Sequence, residues 1–275
     1  MRFHLVEVAS LVQSPTSRVI ARIDGAVGHI VFNNPARHNA VSLDMWEAVP
    51  VILDQFAADP ALRAVVLSGA GGKAFVAGAD ISQFEETRSD VLRAQLYEAK
   101  TNTAFERIAS FEKPTIAMID GYCIGGGLGI ALSCDLRIAA EGSTFGIPAS
   151  KLGLAYGIEG THRLVDVVGP AYAKEVFFTA RRFTHEEAWR MGLVNRVVPR
   201  EALEATVKEL CDTIAENAPL TVATAKRIVD EGLKVVGEFN VEACEALIER
   251  CFASQDYTEG RTAFMEKRKP QFRGE

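Results

Sequence analysis

The chain has 275 residues and no stretch of about 18 uncharged apolar residues, so no membrane span is expected. Cysteine is scarce: Cys123, Cys134, Cys211, Cys244 and Cys251 are odd in number and show no CxxC spacing. This excludes a disulfide frame and a zinc knuckle, and it reads as buried thiols in a reducing compartment. Residues 1–11 carry Arg2 and Glu7 but no convincing apolar core or cleavage site, which disfavours a secretory leader. Together these features point to the cytoplasm. Basic charge is not in excess either, with 30 Lys and Arg against 36 Asp and Glu, a net charge of -6. A general nucleic-acid binder would show a basic face, so no nucleic-acid partner is expected. No His, Asp or Glu cluster has metal-ligand spacing and no Walker-type loop occurs, so no metal, nucleoside triphosphate or nicotinamide is expected. What is present is a chain 48% hydrophobic, enough for one large domain with an ample core.

Alternating, β-branched runs at 18–23 and 28–33 flank Asp24-Gly25 and predict a hairpin. Ser42 stands where an N-cap would open a helix to about residue 58, with Met45, Ala48, Val49, Ile52, Leu53 and Phe56 on one face. The pattern then predicts a strand at 64–68, a loop at 73–81, a helix from near 89 to 111, a strand at 115–119, a helix at 126–134 and a strand at 136–139. Repeated βαβ order implies right-handed crossovers and strands buried on their faces. Beyond Pro148 the character changes. Thr184-His185-Glu186-Glu187 is a capping box for a helix ending near Gly192, 194–198 reads as a strand, and 201 onward is helical almost to Pro270, broken at Ala218-Pro219. Composition and periodicity thus give an α/β core with a helical tail and no low-complexity linker between them.

Two stretches carry chemistry. Gly121-Tyr122-Cys123-Ile124-Gly125-Gly126-Gly127-Leu128-Gly129 leads from the strand at 115–119 into an apolar, Ala-rich helix. Glycines there let the backbone approach a ligand, and the first N–H groups of the helix have no partner within it. Such a terminus suits a phosphate, a carboxylate or an oxyanion formed during a reaction; tight strand–helix packing is the other use of the same glycines. Upstream, Lys73-Ala74-Phe75-Val76-Ala77-Gly78-Ala79-Asp80-Ile81 again follows a β-type run, and Ala77, Gly78 and Ala79 are small. Two backbone amides aimed at one oxygen make an oxyanion hole, each donor worth about 3–4 kcal/mol of barrier.

These motifs, in this order, resemble those of the crotonase superfamily, the enoyl-CoA hydratase/isomerase family. The likeness runs from about residue 18 to 273 and includes Asn34-Pro35-Ala36-Arg37-His38-Asn39-Ala40, the segment 145–163 and Glu259-Gly260-Arg261 onward. The resemblance implies a spiral of ββα turns: an acyl-CoA-binding core over 1–200 and a helical C-terminal oligomerisation subdomain over 201–275, assembling as a homotrimer or a dimer of trimers. It implies an acyl-CoA substrate that carries its own coenzyme A, with no separate cofactor. It assigns the enolate-stabilising amides to Ala79 and Gly126. It also points to Arg37, His38, Ala40, Ala77, Asp80, Ile81, Phe264 and Lys267 as coenzyme A contacts.

The family's hydratases add two glutamates, and the matching positions here hold Gly129 and Ala149. Positioned acid–base catalysis is worth about 10²–10⁴-fold, so ordinary hydration, and isomerisation that uses a carboxylate, lose their expected base. Tyr156, in the loop at 151–157, is the leading substitute. A phenol with an ordinary pKa near 10 is a poor base for water and a serviceable proton donor. A Tyr there resembles the methylmalonyl-CoA decarboxylase branch, whose reaction needs an enolate held and then protonated. Ala79, however, is the hydratase-type residue, where that decarboxylase carries a His. Glu159 is the next candidate, with a helix-start role as its structural alternative. Glu85 and Glu86 lie near the expected mouth of a pocket. Three readings stay open: a hydratase or isomerase with replaced glutamates, a malonyl-type decarboxylase, and a non-catalytic acyl-CoA-binding protein.

Overall fold

The computed structural model describes residues 10–80, 91–152, 154, 156–233 and 240–275, the side chains of 91–95 and 264 excepted. Strand β1 (Ser10–Val12) edges the hairpin β2 (Val19–Asp24) and β3 (Val27–Phe32), whose register runs Val19↔Phe32 to Asp24↔Val27. Gly25 takes a φ of 56° in the tight turn, as the sequence required. Helix α1 (Leu43–Ala57) buries Met45, Ala48, Val49, Ile52, Leu53 and Phe56, together with Trp46. Ser42 occupies the N-cap position but its hydroxyl donates to the Asp44 carboxylate and accepts from Arg18, so it does not cap the helix.

Three ββα turns follow. Strand β4 (Ala64–Gly69), strand β5 (Ala74–Val76) and helix α2 (Val91–Ala109) form the first. Strands β6 (Thr115–Ile119) and β7 (Tyr122–Ile124) with helix α3 (Gly126–Ser133) form the second. Strands β8 (Leu136–Ala140) and β9 (Thr144–Gly146) with helix α4 (Ile158–Thr179) form the third. The first strand of each turn enters a seven-stranded sheet, β1-β2-β3-β4-β6-β8-β11, where β11 is Arg196–Val198, and the second enters a four-stranded sheet, β10-β9-β7-β5, where β10 is Phe183–Thr184. The short strands β5, β7 and β9 correct the sequence reading, which placed 73–81 in a loop and ran the glycine-rich stretch straight on from β6. Three residues are too few to show a period of two.

Strand β10 (Phe183–Thr184) leads into α5 (His185–Arg190), opened by the capping box between Thr184 and Glu187. Strand β11 (Arg196–Val198) closes the large sheet beside β8. Helices α6 (Leu203–Ala215), α7 (Pro219–Gly232), α8 (Val241–Ala253) and α9 (Gln255–Glu266) make the helical tail, with Pro219 at the start of α7. Alternation in β4 sends Val65 and Leu67 into the main core and Ala64 and Val66 to the other face, where Leu203, Val207 and Cys211 of α6 cover them. Lys226 of α7 reaches Asp135 at 2.8 Å, and that carboxylate also accepts from the Thr115 N–H and hydroxyl, tying the tail to the sheet. No helix among the described residues is long and apolar enough to cross a membrane.

Candidate active site

The parallel pairing of β5, β7 and β9 decides where the site forms. Tyr122 stands opposite Ala74 and Thr144, and Ile124 opposite Gly146, so all three strands finish at one edge of the small sheet. The segments leaving them, Ala77-Gly78-Ala79, Gly125-Gly126 and Ile147-Pro148-Ala149, therefore lie side by side. With α1, α2 and the start of α4 they enclose a cavity of about 290 Å³.

Gly125 has a φ of 55°, a left-handed conformation that turns the chain from β7 into α3. A methyl group on Gly127 would lie 2.1 Å from the Val76 carbonyl oxygen, so this glycine serves strand–helix packing. One on Gly126 would lie 3.1 Å from the Trp46 indole and 3.9 Å from the Ala79 nitrogen, which shows how closely the two predicted donor residues approach. The bridge between Val41 and Ala79 uses the Gly78 carbonyl and the Asp80 N–H, so the Ala79 N–H is left over. Gly126 opens α3, where the first N–H groups have no intrahelical acceptor. Neither amide donates to a backbone carbonyl among the described residues.

Tyr156 lies on the wall of this cavity, its ring centroid 5.3 Å from that of Phe177. Its hydroxyl is sealed from solvent and has no hydrogen-bond partner among the described residues. Burial pushes the phenol up to about 12, against a smaller opposing pull from Arg163. The group is thus protonated at neutral pH, and a buried hydroxyl without a partner is a costly arrangement. Glu159 lies in the first exposed turn of α4 and does not line the cavity.

The surroundings of Gly129 and Ala149 have a physical account. A methyl on Gly129 would meet the Phe105 ring at 2.6 Å, so an aromatic side chain from α2 fills the space a side chain at 129 would need. Phe105 in turn meets Trp46 edge-on at 5.3 Å, and the Trp46 indole donates to the Tyr97 hydroxyl at 2.8 Å. Ala149 is buried on the wall and leaves it apolar there. The sequence reading did not find the contribution of α2: Tyr97, Glu98, Thr101, Asn102 and Phe105 share one face of that helix and line the cavity. Their spacing of one face was available, but their mixture of polar and apolar types forms no motif.

The other predicted contacts divide. Ala77 lines the cavity, and its N–H donates to the His38 carbonyl. Arg37 pairs with the buried Asp80 carboxylate at 2.9 Å on the neighbouring rim. Ala40 is held in the adjoining loop by its N–H to the Arg37 carbonyl and its carbonyl to Asn34. The His38 ring points elsewhere, edge-on to Tyr122 at 5.6 Å, in a second and polar hollow of about 430 Å³. Lys267 is exposed just after α9, and Phe264 belongs to α9 itself. Ile81, Glu85 and Glu86 lie outside the described residues. The five cysteines are free, four buried and Cys251 half-buried, and burial raises the Cys123 and Cys134 thiols, the latter to about 12. Among the described residues no group of three His, Cys, Asp or Glu side chains is placed to hold a metal ion.

Comparison with known proteins gives a consistent answer. Residues 22–275 match the family described as Enoyl-CoA hydratase/isomerase. The chain is 37% identical to the short-chain-enoyl-CoA hydratase of Clostridium acetobutylicum, over 92% of this chain and 96% of that protein. It is also 37% identical to the crotonyl-CoA hydratase of Syntrophomonas wolfei, over 88% and 93% of the two chains. Its structure is similar to that of an enoyl-CoA hydratase/carnithine racemase from Magnetospirillum magneticum, with a TM-score of 0.91, 33% identity and coverage of 95% and 97%.

Proposed function

The chain belongs to the enoyl-CoA hydratase/isomerase family, and from that premise we propose that it holds the thioester oxygen of an acyl-CoA between the amides of Ala79 and Gly126 and protonates the resulting enolate from Tyr156. The observation that carries this reading is Tyr156 on the wall of a cavity bordered by two amides without a backbone acceptor, its phenol buried and unpartnered among the described residues. Preorganised amides act on charge as it develops, and each donor contributes about 3–4 kcal/mol. A phenol held protonated then delivers its proton to C2.

The reaction best suited to these groups is decarboxylation of a malonyl-type thioester. The bond from C2 to the carboxylate breaks, its electron pair forms the enolate, carbon dioxide leaves, and C2 takes the Tyr156 proton. No base is needed, and Ala149 and Phe105 keep their part of the wall apolar, Glu98 being the one carboxylate among the described lining residues. Hydration is the second reading, favoured by the names of the two hydratases to which the chain is 37% identical.

Carbon dioxide release from methylmalonyl-CoA and ethylmalonyl-CoA, measured beside water addition to crotonyl-CoA, tests both. Release is expected, with Tyr156→Phe lowering kcat about 10²–10⁴-fold and leaving KM little changed. No release from either thioester excludes decarboxylation of these substrates. Full-rate hydration of crotonyl-CoA moves the reading to the second reaction. Binding of every thioester with turnover of none makes the protein a binder.

A further inference from the structure

The segment that carries the Ala79 amide is not held by its own backbone. Gly78 has a φ of 113°, a conformation that glycine adopts freely and other residues rarely do. The segment is held from outside, by residues 38–41. The Ala77 N–H donates to the His38 carbonyl at 3.0 Å, the Val41 N–H to the Gly78 carbonyl at 2.8 Å and the Asp80 N–H to the Val41 carbonyl at 2.9 Å. The bonds with Val41 use one side of the segment. The Ala79 nitrogen approaches Gly126 on the other, 3.9 Å from where a methyl group on that glycine would stand. Resting on the assignment of that amide above, we infer that Asn39 is its positioning residue: it fixes 38–41 to strand β5 and so sets the direction of the Ala79 N–H.

Asn39 is wholly buried, and each polar atom of its side chain has a partner. Its Nδ2 donates to the Ala74 carbonyl at 2.7 Å and to the Ala70 carbonyl at 2.9 Å, and its Oδ1 accepts from the Asn34 N–H at 2.9 Å. Ala74 opens β5 and stands opposite Tyr122 of β7, the strand that runs on to Gly126. One side chain therefore ties the clamp on one donor to the strand pair that carries the other. Gly69 makes room for it. A methyl group there would stand 2.7 Å from Asn39 Nδ2 and 2.2 Å from the Ala74 carbonyl oxygen, although the backbone at Gly69 (φ -113°, ψ 138°) suits any residue. Asn39 itself has a φ of 57°, a left-handed conformation that asparagine tolerates better than most residues.

Asn39 does not line the cavity, so its influence passes through the main chain of the two loops. Without its amide, two buried carbonyls lose their donor, and 38–41 must shift or admit water to satisfy them. A displacement of about 1 Å at a catalytic group costs about 10²-fold in rate, and loss of a whole oxyanion donor about 10²–10³-fold. A loosened clamp thus acts on turnover and on the polarisation of the thioester carbonyl. Affinity changes little, because the remote parts of an acyl-CoA supply most of it.

The test is infrared difference spectroscopy of acetyl-CoA labelled with carbon-13 at its carbonyl, a thioester with no carboxylate to lose and no double bond to hydrate. Two N–H donors on the carbonyl oxygen lower its stretching frequency, and wild type is expected to show that shift on binding. Asn39→Gly keeps the left-handed backbone and removes the side chain. It is expected to lose most of the shift with Kd little changed. On whichever of methylmalonyl-CoA, ethylmalonyl-CoA and crotonyl-CoA wild type turns over, kcat is expected to fall about 10–10²-fold with KM little changed. Asn34→Ala removes a half-buried bond of the same loop, Asn34 Nδ2 to the Ala40 carbonyl at 3.0 Å, and is expected to give a smaller change of the same sign; it decides the matter if Asn39→Gly does not fold. Thr115→Val breaks a buried hydrogen bond with Asp135 outside the cavity, and is expected to lower the melting temperature and leave the carbonyl band in place. A wild-type band in every folded loop variant, or an equal displacement in Thr115→Val, overturns the positioning role and leaves the Ala79 and Gly126 reading standing. No shift on binding to wild type, or no binding, overturns both.

Discussion

The small sheet has two ends, and they differ in kind. At the end of β5, β7 and β9 lies the apolar cavity with free amides; at the start of the same strands lies the larger hollow lined by His38, Lys73, Asp120, Tyr122, Glu141 and Arg200. Both ends are rich in glycines of positive φ, Gly78 and Gly125 at one, Gly72, Gly121 and Gly142 at the other. At the start of the strands the charges answer one another: Arg200 donates twice to Asp120, at 3.1 and 2.9 Å, and Arg182 lies over the Tyr122 ring at 5.0 Å. At their finish two amides without a backbone acceptor border a mostly apolar space whose wall includes Tyr156. Volume and charge favour one end, unsatisfied polarity within an apolar wall the other, and it is at the second that we propose the chemistry.

The contrast is sharpest at Gly126. Gly126→Pro removes an N–H at a helix position that tolerates proline, so turnover should fall about 10²–10³-fold in a protein whose thermal melt shows it still folded. Full activity in such a protein would move the donor elsewhere. Next in size is Gly129→Glu. Because Phe105 occupies the space, the variant should lose about 1–3 kcal/mol of stability in urea titration and gain no hydration. Unchanged stability would show that Phe105 moves aside freely.

Titration of Tyr156 should be gentler. Its folded pKa of about 12 lies above the ordinary 10, so its contribution is fully present below pH 10 and is lost as pH rises through 12. The slope from this group is at most about 1.4 kcal/mol per pH unit, and Tyr156→Phe should flatten that part of the stability curve. An identical curve in the variant would place the phenol in contact with water. The smallest effect is expected at the polar end. Arg200→Ala breaks an exposed pair and should change stability by about 0–1 kcal/mol and leave turnover unchanged. A large loss of turnover there would end the distinction between the two ends.

The large sheet was legible because its strands run five or six residues with buried faces, and α1 because seven buried side chains repeat at helical spacing. The capping box at Thr184 and the break at Pro219 are local rules, and they held locally. The small sheet was not legible, since β5, β7 and β9 each have three residues and their pairing is entirely long-range. For the proposed site, the small-residue motifs point to Ala79 and Gly126, and the loop at 151–157 points to Tyr156, and all three residues border one cavity or its rim. Glu98 and Phe105 carry no motif; their position follows from how α2 lies over α3, which only the tertiary structure shows. His38 is adjacent in sequence to the Arg37–Asp80 pair, yet its ring lies edge-on to Tyr122 in the other hollow.

The chain's two tryptophans form a natural optical pair. Trp46 is almost wholly buried, hydrogen-bonded to Tyr97 and in contact with Gly126, whereas Trp189 is 63% exposed. Iodide in solution reaches the second indole and not the first, so quenching isolates the emission of a single fluorophore that forms part of the cavity wall. If a thioester settles against Gly126 as proposed, it should report itself as a shift in that emission, without a label and without turnover, even in a variant whose chemistry has been removed.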